Sequence, residues 1–198
     1  MYPESIKLFI DTFSKLPSIG PRQATRLAFH LVNSGKANIE ETSKAVGNLK
    51  NIKICSECFF IHSNSDNLCN ICRDKNRNSA VVMIIEKETD LISIERTKKY
   101  PGKYLILGEL TKSGVLESAQ KLRLNSLKNL IKNRGGQIDE IIIGINPTTY
   151  GDLNAMLISK ELQGLSKKIT RLGRGIPTGG EIEFADEDTL GQALERRI

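Results

Sequence analysis

The sequence has no tryptophan, few aromatic residues of any kind (5%) and no long apolar run among its 198 residues. Scarce aromatics argue against a protein that grips single-stranded nucleic acid mainly by base stacking. No window approaches the roughly 18 consecutive apolar residues of a membrane-spanning helix. The first residues, MYPESIKLFIDTF, lack the basic region and cleavage site of a secretory signal. We therefore expect a cytoplasmic protein without a membrane partner.

Signatures of nucleotide hydrolysis and of nucleophilic catalysis are missing as well. The sequence contains no G-x-x-x-x-G-K-[ST], the loop that cradles nucleotide phosphates in many ATPases. The two histidines, His30 and His62, have no serine, cysteine or carboxylate partner at the spacing of a catalytic triad. None of these routes to catalysis is therefore predicted.

The overall charge is basic. Lysine and arginine number 29 against 23 aspartates and glutamates, which gives a net charge of +6 and a pI near 9.1. Residues 1–80 carry four of the six excess charges and residues 81–198 carry two. This balance favours a polyanionic partner such as nucleic acid, although solvated lysines on an ordinary surface give the same total.

All four cysteines of the chain lie within 18 residues, as two C-x2-C pairs separated by ten residues. They are Cys55, Cys58, Cys69 and Cys72. Two residues between thiolates let a tight turn direct both sulfurs at one ion, and two such turns complete a tetrahedron. The spacing predicts one structural zinc ion per chain. Two disulfides are the alternative, and His62, between the pairs, is expected to be a surface or hairpin residue rather than a ligand.

Two short helices are predicted at the amino end. Residues 6–13 and 24–31 carry apolar side chains at helical spacing, and LPSIG interrupts them. Pro21 suits the first position of the second helix, because its missing N–H would have no partner there. The predicted inner faces are Ile6, Phe9, Ile10 and Phe13 in the first helix and Ala24, Leu27, Ala28 and Leu31 in the second.

The connection between these helices has the features of a phosphate site. Its backbone N–H groups and the positive end of the second helix attract an anion, and Arg22 and Arg26 lie four residues apart on that helix. With Ser18 and Gly20 in the turn, they form the predicted phosphate site. An ordinary corner between two helices is the alternative, in which glycine and proline serve only the turn.

The segment LPSIGPRQATRLAFHL resembles the helix-hairpin-helix motif of DNA-binding proteins, with Ser18 where that motif usually has glycine. A serine fits there if its φ angle is negative. The resemblance implies that the phosphate site binds DNA through Ser18, Gly20, Arg22 and Arg26. The motif is followed by CSEC and CNIC, then by VVMIIEKETDLISIERT, GINPTTYGDLNAMLISKEL and RLGRGIPTGGEIEFADEDTLGQALERR. In this order and spacing, along nearly the whole chain, these segments resemble the RecR family of bacterial recombination mediators.

The hydrophobic pattern of the remaining chain predicts one more helix and then a parallel α/β domain. Asn38 and Glu41 have the spacing of a capping box before a helix whose apolar positions are Val46, Leu49 and Ile52. Short aliphatic runs then alternate with helical stretches, which indicates a parallel sheet with both faces covered. The predicted strands are 81–85, 104–107 and 141–145, and the predicted helices are 88–96, 124–133 and 152–162.

This α/β domain resembles the Toprim fold, whose catalytic members hold Mg2+ with a glutamate after the first strand and an Asp-x-Asp after a later one. Glu86 matches the glutamate. Asn146 and Thr148 stand where the two aspartates would be, and Tyr150 replaces a further acidic residue. The resemblance therefore implies a non-catalytic domain. It assigns Glu86, Asn146 and Asp152 to partner binding and leaves Glu86 as a candidate for a weakly held Mg2+.

The carboxyl end resembles the Walker B-like segment of the same family. Ile182 and Phe184 precede Asp186 in an acidic stretch, residues 183–187, that we expect to form a strand packed between subunits. The glycine-rich loop over residues 173–180 is expected to act as a flexible arm. Without a phosphate-binding loop, this segment is only a weak ATP signal.

The expected fold is therefore a multidomain α+β protein in four parts. The parts are a helix-hairpin-helix domain (1–53), a small four-cysteine zinc finger (54–77), a Toprim domain with a Rossmann-like parallel sheet (79–170) and a carboxyl-terminal arm of strand, loop and helix (171–198).

The resemblance implies a non-enzymatic DNA clamp and adaptor for recombinational repair in the bacterial cytoplasm. RecR-like subunits form dimers or tetrameric rings around single- or double-stranded DNA. With RecO and RecF they load RecA onto DNA coated by single-strand-binding protein. Two alternatives remain. One is a Mg2+-dependent nuclease or topoisomerase that uses Glu86, Asp152 and Tyr150, and the other is a zinc-stabilised interaction module that does not touch DNA.

Overall fold

The computed structural model describes residues 2–195 and 197, and the chain divides into two compact units at the junction of residues 52 and 53. The helices are α1 (Glu4–Phe13), α2 (Pro21–Asn33), α3 (Lys36–Asn48), α4 (Asn70–Arg73), α5 (Glu88–Arg96), α6 (Ser118–Asn133), α7 (Thr149–Glu161) and α8 (Glu187–Glu195). The strands are β1 (Lys53–Ile54), β2 (Ile61–His62), β3 (Asn78–Ile85), β4 (Gly102–Ile106), β5 (Ile138–Gly144) and β6 (Ser166–Arg171). The finer division into four domains stays a prediction.

The first unit is a helical unit in which α1 packs against α2. Ala24 and Ala28, one turn apart on α2, are buried, and their small side chains allow the close approach of α1. Leu27 and Leu31, predicted on the same inner face, are exposed and half-buried. The buried face of α2 is therefore narrower than the apolar spacing predicts.

Helix α3 begins earlier than predicted, and the predicted capping box is wrong. Gly35, at φ 89°, precedes the helix, and the Asn38 side chain donates a hydrogen bond back to the Ser34 carbonyl at 3.0 Å. One left-handed glycine thus ends α2 and starts α3, so the chain has no room for a separate cap at Asn38. The predicted apolar positions on α3 and just beyond it, Val46, Leu49 and Ile52, are exposed.

The second unit is built on a four-stranded sheet in the order β4-β3-β5-β6, and its strands are parallel, as the aliphatic runs predict. Alternate residues of each strand enter two cores. Val82 and Ile84 of β3 pack with α6 and α7, whereas Met83 and Ile85 pack on the opposite face with α5. Strand β6 was not among the predicted strands, because SKKITR is too polar to suggest one.

Two helices of the second unit start before their predicted positions, because their first turns are polar. Helix α6 begins at Ser118, and Gln120 accepts the Glu117 N–H at 2.9 Å. Helix α7 begins at Thr149, and the Thr148 hydroxyl accepts the Gly151 N–H at 3.0 Å. Side-chain caps therefore extend both helices beyond their apolar repeat.

The order of the strands creates a crevice at the carboxyl end of the sheet. The connection from β3 runs through α5 to β4 on one side, whereas the connection from β5 runs through α7 to β6 on the other. Ligands of open α/β sheets bind where the connections from two neighbouring strands leave in opposite directions. Asn146, in the loop after β5, lines this crevice, and Glu86 directly follows the neighbouring strand β3.

The carboxyl-terminal segment contains the predicted helix but not the predicted acidic strand. Ile182–Phe184 form a 3-10 turn, and Asp186 then caps α8 by accepting the Thr189 N–H at 2.9 Å and its hydroxyl at 2.8 Å. Asp186 therefore serves as a helix cap rather than as part of a Walker B strand.

None of the described helices combines the length and apolar character that a lipid bilayer requires of a spanning segment.

Candidate functional site

The turn between α1 and α2 has the backbone geometry of a strained hairpin. Ser18 has φ 62°, in the left-handed region, so the negative angle that would make serine an easy replacement for glycine is not adopted. Gly20, in contrast, has φ −87°, and a Cβ atom built on it meets nothing within 4 Å. The position that favours glycine is therefore 18, and it is occupied by serine.

The start of α2 presents free backbone donors. The first helical hydrogen bond runs from the Ala24 N–H to the Gly20 carbonyl at 2.9 Å. The Gln23 side chain accepts the Gly20 N–H at 3.3 Å. Within residues 2–195 and 197, the N–H groups of Arg22 and Gln23 have no acceptor, as expected for the first turn of a helix. Two N–H donors at the positive end of the helix thus point to solvent.

The predicted DNA-binding side chains are all exposed, but they do not share one concave surface. Ser18, Arg26 and His30 line a shallow depression beside the turn, and Arg22 lies outside it. A ligand as extended as a phosphate backbone can contact both arginines, whereas a single small anion in the depression meets only Arg26.

The four cysteines converge as predicted. Their sulfur atoms lie within 4.8 Å of one another, and Cys55, Cys58 and Cys69 are buried, with Cys72 half-buried. All four are free thiols, so the disulfide alternative is wrong. Four sulfur donors at this separation suit a soft divalent ion in a tetrahedral site, and zinc is the ion that such sets usually hold.

Backbone N–H groups surround these sulfurs. The N–H of Phe60 donates to Cys58 Sγ, that of Cys69 to Cys55 Sγ and that of Cys72 to Cys69 Sγ, each at 3.4 Å. Hydrogen bonds to the charged form favour thiolates. Hydrogen bonds from Cys58, Cys69 and Cys72 lower the pKa of the Cys55 thiol, whereas the hydrogen bond with Cys55 raises the pKa of Cys58 and of Cys72, so charge on one sulfur opposes charge on the others.

His62 lies in the hairpin of β1 and β2, as expected, and not among the converging donors. Its Nδ1 accepts the Asn64 N–H at 3.2 Å. Its Nε2 is buried and has no hydrogen-bond partner among the residues that the structure describes.

The crevice at the carboxyl end of the sheet has a volume of about 530 Å3 and contains two of the three predicted partner-binding residues, Asn146 and Asp152. Asn146 is exposed. Gly151 allows the loop before α7 to fold back on the helix, because a Cβ atom at this position would collide with the Asn146 carbonyl oxygen. The loop that would carry the second metal-binding cluster is thus held tightly against α7.

Glu86, the third predicted residue, is buried rather than available on the surface. Its Oε1 accepts the Leu110 N–H at 3.1 Å and lies 3.9 Å from Lys87 Nζ. The carboxylate therefore fixes the loop that follows β4. Burial leaves little of the Glu86 side chain accessible to a large partner.

Asp152 binds two arginines. Arg171 at the end of β6 and Arg174 three residues later both donate to its Oδ1. Hydrogen bonds from Arg171 and then from Arg174 lower the pKa of the Asp152 carboxyl below its ordinary range. Across residues 2–195 and 197, the cysteine cluster is the only group of three or more cysteine, histidine or acidic side chains placed to share an ion. Among the described residues, Glu86 and Asp152 therefore do not form a metal site with a third acidic side chain.

Comparison with known proteins matches each region in turn. Models of the RecR helix-hairpin-helix, the Toprim domain and the RecR carboxyl-terminal region match residues 6–49, 80–173 and 175–198. Proteins named Recombination protein RecR are similar over full length. Identity is 34% with that of Paenarthrobacter aurescens over 198 residues (100% of this chain, 98% of the relative) and 36% with that of Gloeobacter violaceus over 199 residues (100% and 98%). It is also 36% with that of Clostridium perfringens over 197 residues (99% and 97%).

The chain belongs to the RecR family. It is a recombination protein with a helix-hairpin-helix and a Toprim domain, which places it in recombination repair. The converging cysteines lie in the interval between the RecR helix-hairpin-helix and Toprim matches, where the predicted zinc finger stands. The family resemblance inferred from the motifs is confirmed.

Several polar residues that link distant parts of the second unit by hydrogen bonds were not predicted. Glu95 on α5 accepts hydrogen bonds from Arg77 and, at 2.6 Å, from the Tyr104 hydroxyl. Burial and the Glu95 carboxylate raise the pKa of Tyr104. Lys103 and Arg123 likewise bind distant backbone carbonyls. Their partners lie 9 to 32 residues away in the chain, so local spacing carries no signal for them.

Proposed function

We propose that this RecR family member is a non-enzymatic DNA clamp and adaptor in recombinational repair. The observation that carries the proposal is the start of α2, where free N–H groups of Arg22 and Gln23 stand beside two exposed arginine side chains in a matched helix-hairpin-helix. Helix starts of this kind bind phosphate oxygens. Arg22 and Arg26 add charge-assisted hydrogen bonds, and Ser18 and Gly20 set the path of the turn.

A single motif of this size binds DNA weakly, so the proposal includes self-association. Several copies in a dimer or tetrameric ring present their α2 ends to one DNA molecule, and affinity then rises through multivalency. Contacts to phosphate carry no base specificity. We therefore propose binding to single- and double-stranded DNA with a steep dependence on salt.

The Toprim domain of this chain is proposed as a protein-binding surface. The exposed Asn146 and the half-buried Asp152 at the crevice are the proposed contacts for RecO or RecF, and Glu86 acts by holding the loop at Leu110. Through these partners the protein would help load RecA onto DNA coated by single-strand-binding protein, in the bacterial cytoplasm. The replacement of the acidic cluster by Asn146 and Thr148 supports binding over catalysis.

The cysteine cluster is proposed to hold one structural zinc ion. Four sulfur ligands complete the tetrahedron and leave no position for a reacting water. Zinc would supply folding energy at Cys55, Cys58, Cys69 and Cys72 and no chemistry.

The DNA-binding part is tested with a charge-reversal variant, Arg22→Glu with Arg26→Glu. The matched control is Lys36→Glu with Lys44→Glu, which makes the same change on the exposed surface of α3. We expect the first variant to lose at least tenfold in affinity for labelled single- and double-stranded DNA by fluorescence anisotropy, with a shallower salt dependence. Equal affinities for both variants would remove α2 from the interface.

The non-enzymatic part is tested with supercoiled and linear DNA in the presence of Mg2+. We expect no nicking, relaxation or degradation. Cleavage that is present in the wild type and lost in Glu86→Gln would contradict this part and favour the nuclease or topoisomerase alternative.

A further inference from the structure

Lys103 is a charged residue inside the second unit. It lies on β4, at one edge of the sheet, and is buried. Its ammonium donates to three backbone carbonyls, those of Ile71 at 2.8 Å, Cys72 at 3.1 Å and Asp74 at 2.8 Å. All three donors of the ammonium group are thereby used, which is the condition under which a buried lysine is tolerated.

The three carbonyls belong to the end of α4, the short helix that carries the Cys72 thiol. Carbonyl groups in the last turn of a helix have no partner within the helix. Lys103 supplies a hydrogen-bond donor for these carbonyls from another part of the chain. It thereby fixes the backbone of Cys72, whose sulfur belongs to the cluster.

Charge gives this contact a second role. Four thiolates around a divalent cation leave a net charge of −2 in a largely buried site. The Lys103 ammonium is bonded to the backbone of that site and partly compensates this charge. Groups in the outer shell of a metal centre orient its ligands and tune its affinity in this way.

The same part of the chain covers the edge of the sheet. The Ile106 N–H of β4 donates to the Cys58 carbonyl at 2.9 Å, so one cysteine turn occupies a backbone donor on the outer side of β4. Phe59 packs against the core on the α6 side, and Phe60 and Ile71 pack against the core on the α5 side. The cysteine turns therefore contact β4 and both hydrophobic cores.

We infer that Lys103 is a positioning residue for the metal centre and links metal binding to the stability of the β4 edge. The inference rests on the proposed zinc site. Because such coupling is reciprocal, loss of Lys103 weakens metal binding, and loss of the metal weakens β4.

The test measures Co2+ and Zn2+ binding to the full chain by the thiolate-to-cobalt absorption band and by competition with a chelator. Lys103→Met keeps an unbranched side chain, one atom shorter, and removes its charge, and Lys103→Arg keeps the charge. Lys99→Met changes an exposed lysine four residues away and is the control. We expect a loss of metal affinity of about tenfold or more in Lys103→Met, a smaller loss in Lys103→Arg, and none in Lys99→Met.

The outcomes separate the inference from the zinc site itself. If the wild type shows no thiolate-to-cobalt band, the proposed metal centre itself is wrong. If the wild type binds the metal and the affinity of Lys103→Met is within twofold of it, only the role of Lys103 is overturned.

Hydrogen exchange in the wild type keeps the inference testable if Lys103→Met does not fold. On chelation, we expect the Ile106 amide of β4 to exchange at least tenfold faster, while the Ile169 amide of β6 at the opposite edge changes less. An equal change at both edges, or none at Ile106, would overturn the link between metal and edge.

Discussion

The two units of this chain hold their folds by different means. In the first, only two described side chains, Ala24 and Ala28, are buried, and apolar residues such as Leu8, Val46 and Leu49 are exposed. In the second, aliphatic side chains fill both faces of a parallel sheet and a cysteine cluster covers one edge. The first unit depends on local helix and turn signals, whereas the second depends on contacts between distant residues. Substitutions should therefore act differently in the two units.

Removal of the proposed zinc ion should have the largest effect, and this effect should be confined to the second unit. Binding of zinc contributes about 10–16 kcal/mol in small zinc-finger peptides. We expect Cys69→Ser, or chelation of the wild type, to lower the unfolding temperature of the second unit by many degrees, with β4 the first strand to lose protection, while the helices of residues 4–48 are unchanged. The measurements are thermal unfolding of the full chain and hydrogen exchange of the backbone amides in each unit. Ser63→Ala in the neighbouring hairpin is the control, and an unaltered sheet transition would contradict the prediction.

A pair of glycine substitutions compares the units directly. Gly151→Ala places a Cβ atom against the Asn146 carbonyl oxygen, and we expect a loss of about 2 kcal/mol of stability from overpacking. Gly47→Ala lies in α3 with open space around its Cβ, and we expect a gain of about 0.5–1 kcal/mol from helix propensity. Urea unfolding of both variants measures the difference. Similar effects of the same sign would show that the contrast between the units is wrong.

The strained turn of the first unit predicts a smaller, stabilising effect. Ser18→Gly removes the cost of a left-handed serine, about 1 kcal/mol, and should slow hydrogen exchange of the Ala24 and Ala28 amides. Ser18→Ala keeps that cost and is the control. If the two variants behave alike, the φ angle of residue 18 is not what limits the stability of this unit.

The smallest effect should come from the ion pair of Asp152. Its carboxyl pKa is lowered by Arg171 and then Arg174, so its contribution is present above the ordinary aspartate pKa of about 3.9 and is lost as pH falls through the lowered value. Since this side chain is 38% exposed, we expect Asp152→Asn to cost less than about 1 kcal/mol at neutral pH. Thermal unfolding as a function of pH should show this cost disappearing in acid. A cost that is the same in acid as at neutral pH would contradict this account.

Signals that are local in the sequence predicted the corresponding structure well. The spacing of Cys55, Cys58, Cys69 and Cys72 is sufficient to bring the sulfurs together, because each pair is set by its own turn. The aliphatic runs of β3 and β5 indicated a parallel sheet for a similar reason, since burial on both faces leaves a nearly continuous apolar pattern.

Predictions failed where a single backbone angle or a distant partner decides the structure. Gly35 displaced the predicted cap at Asn38, and Ser18 adopts an angle that its side chain does not favour. The resemblance of residues 183–187 to a Walker B segment implied a strand, but the side chain of Asp186 caps a helix instead. The partners of Lys103 lie 29 to 32 residues earlier in the chain, beyond the reach of any local pattern.

The cysteine turns precede the strands of the parallel sheet along the chain, and this order matters while the chain is being synthesised. Residues 55–72 leave the ribosome before β3 and β4 do. A nascent chain that captures its ion at that stage already has the backbone of Cys58 in place when Ile106 emerges. The exposed edge of β4 then pairs with the cysteine turn of its own chain before it can pair with the sheet edge of another newly made chain.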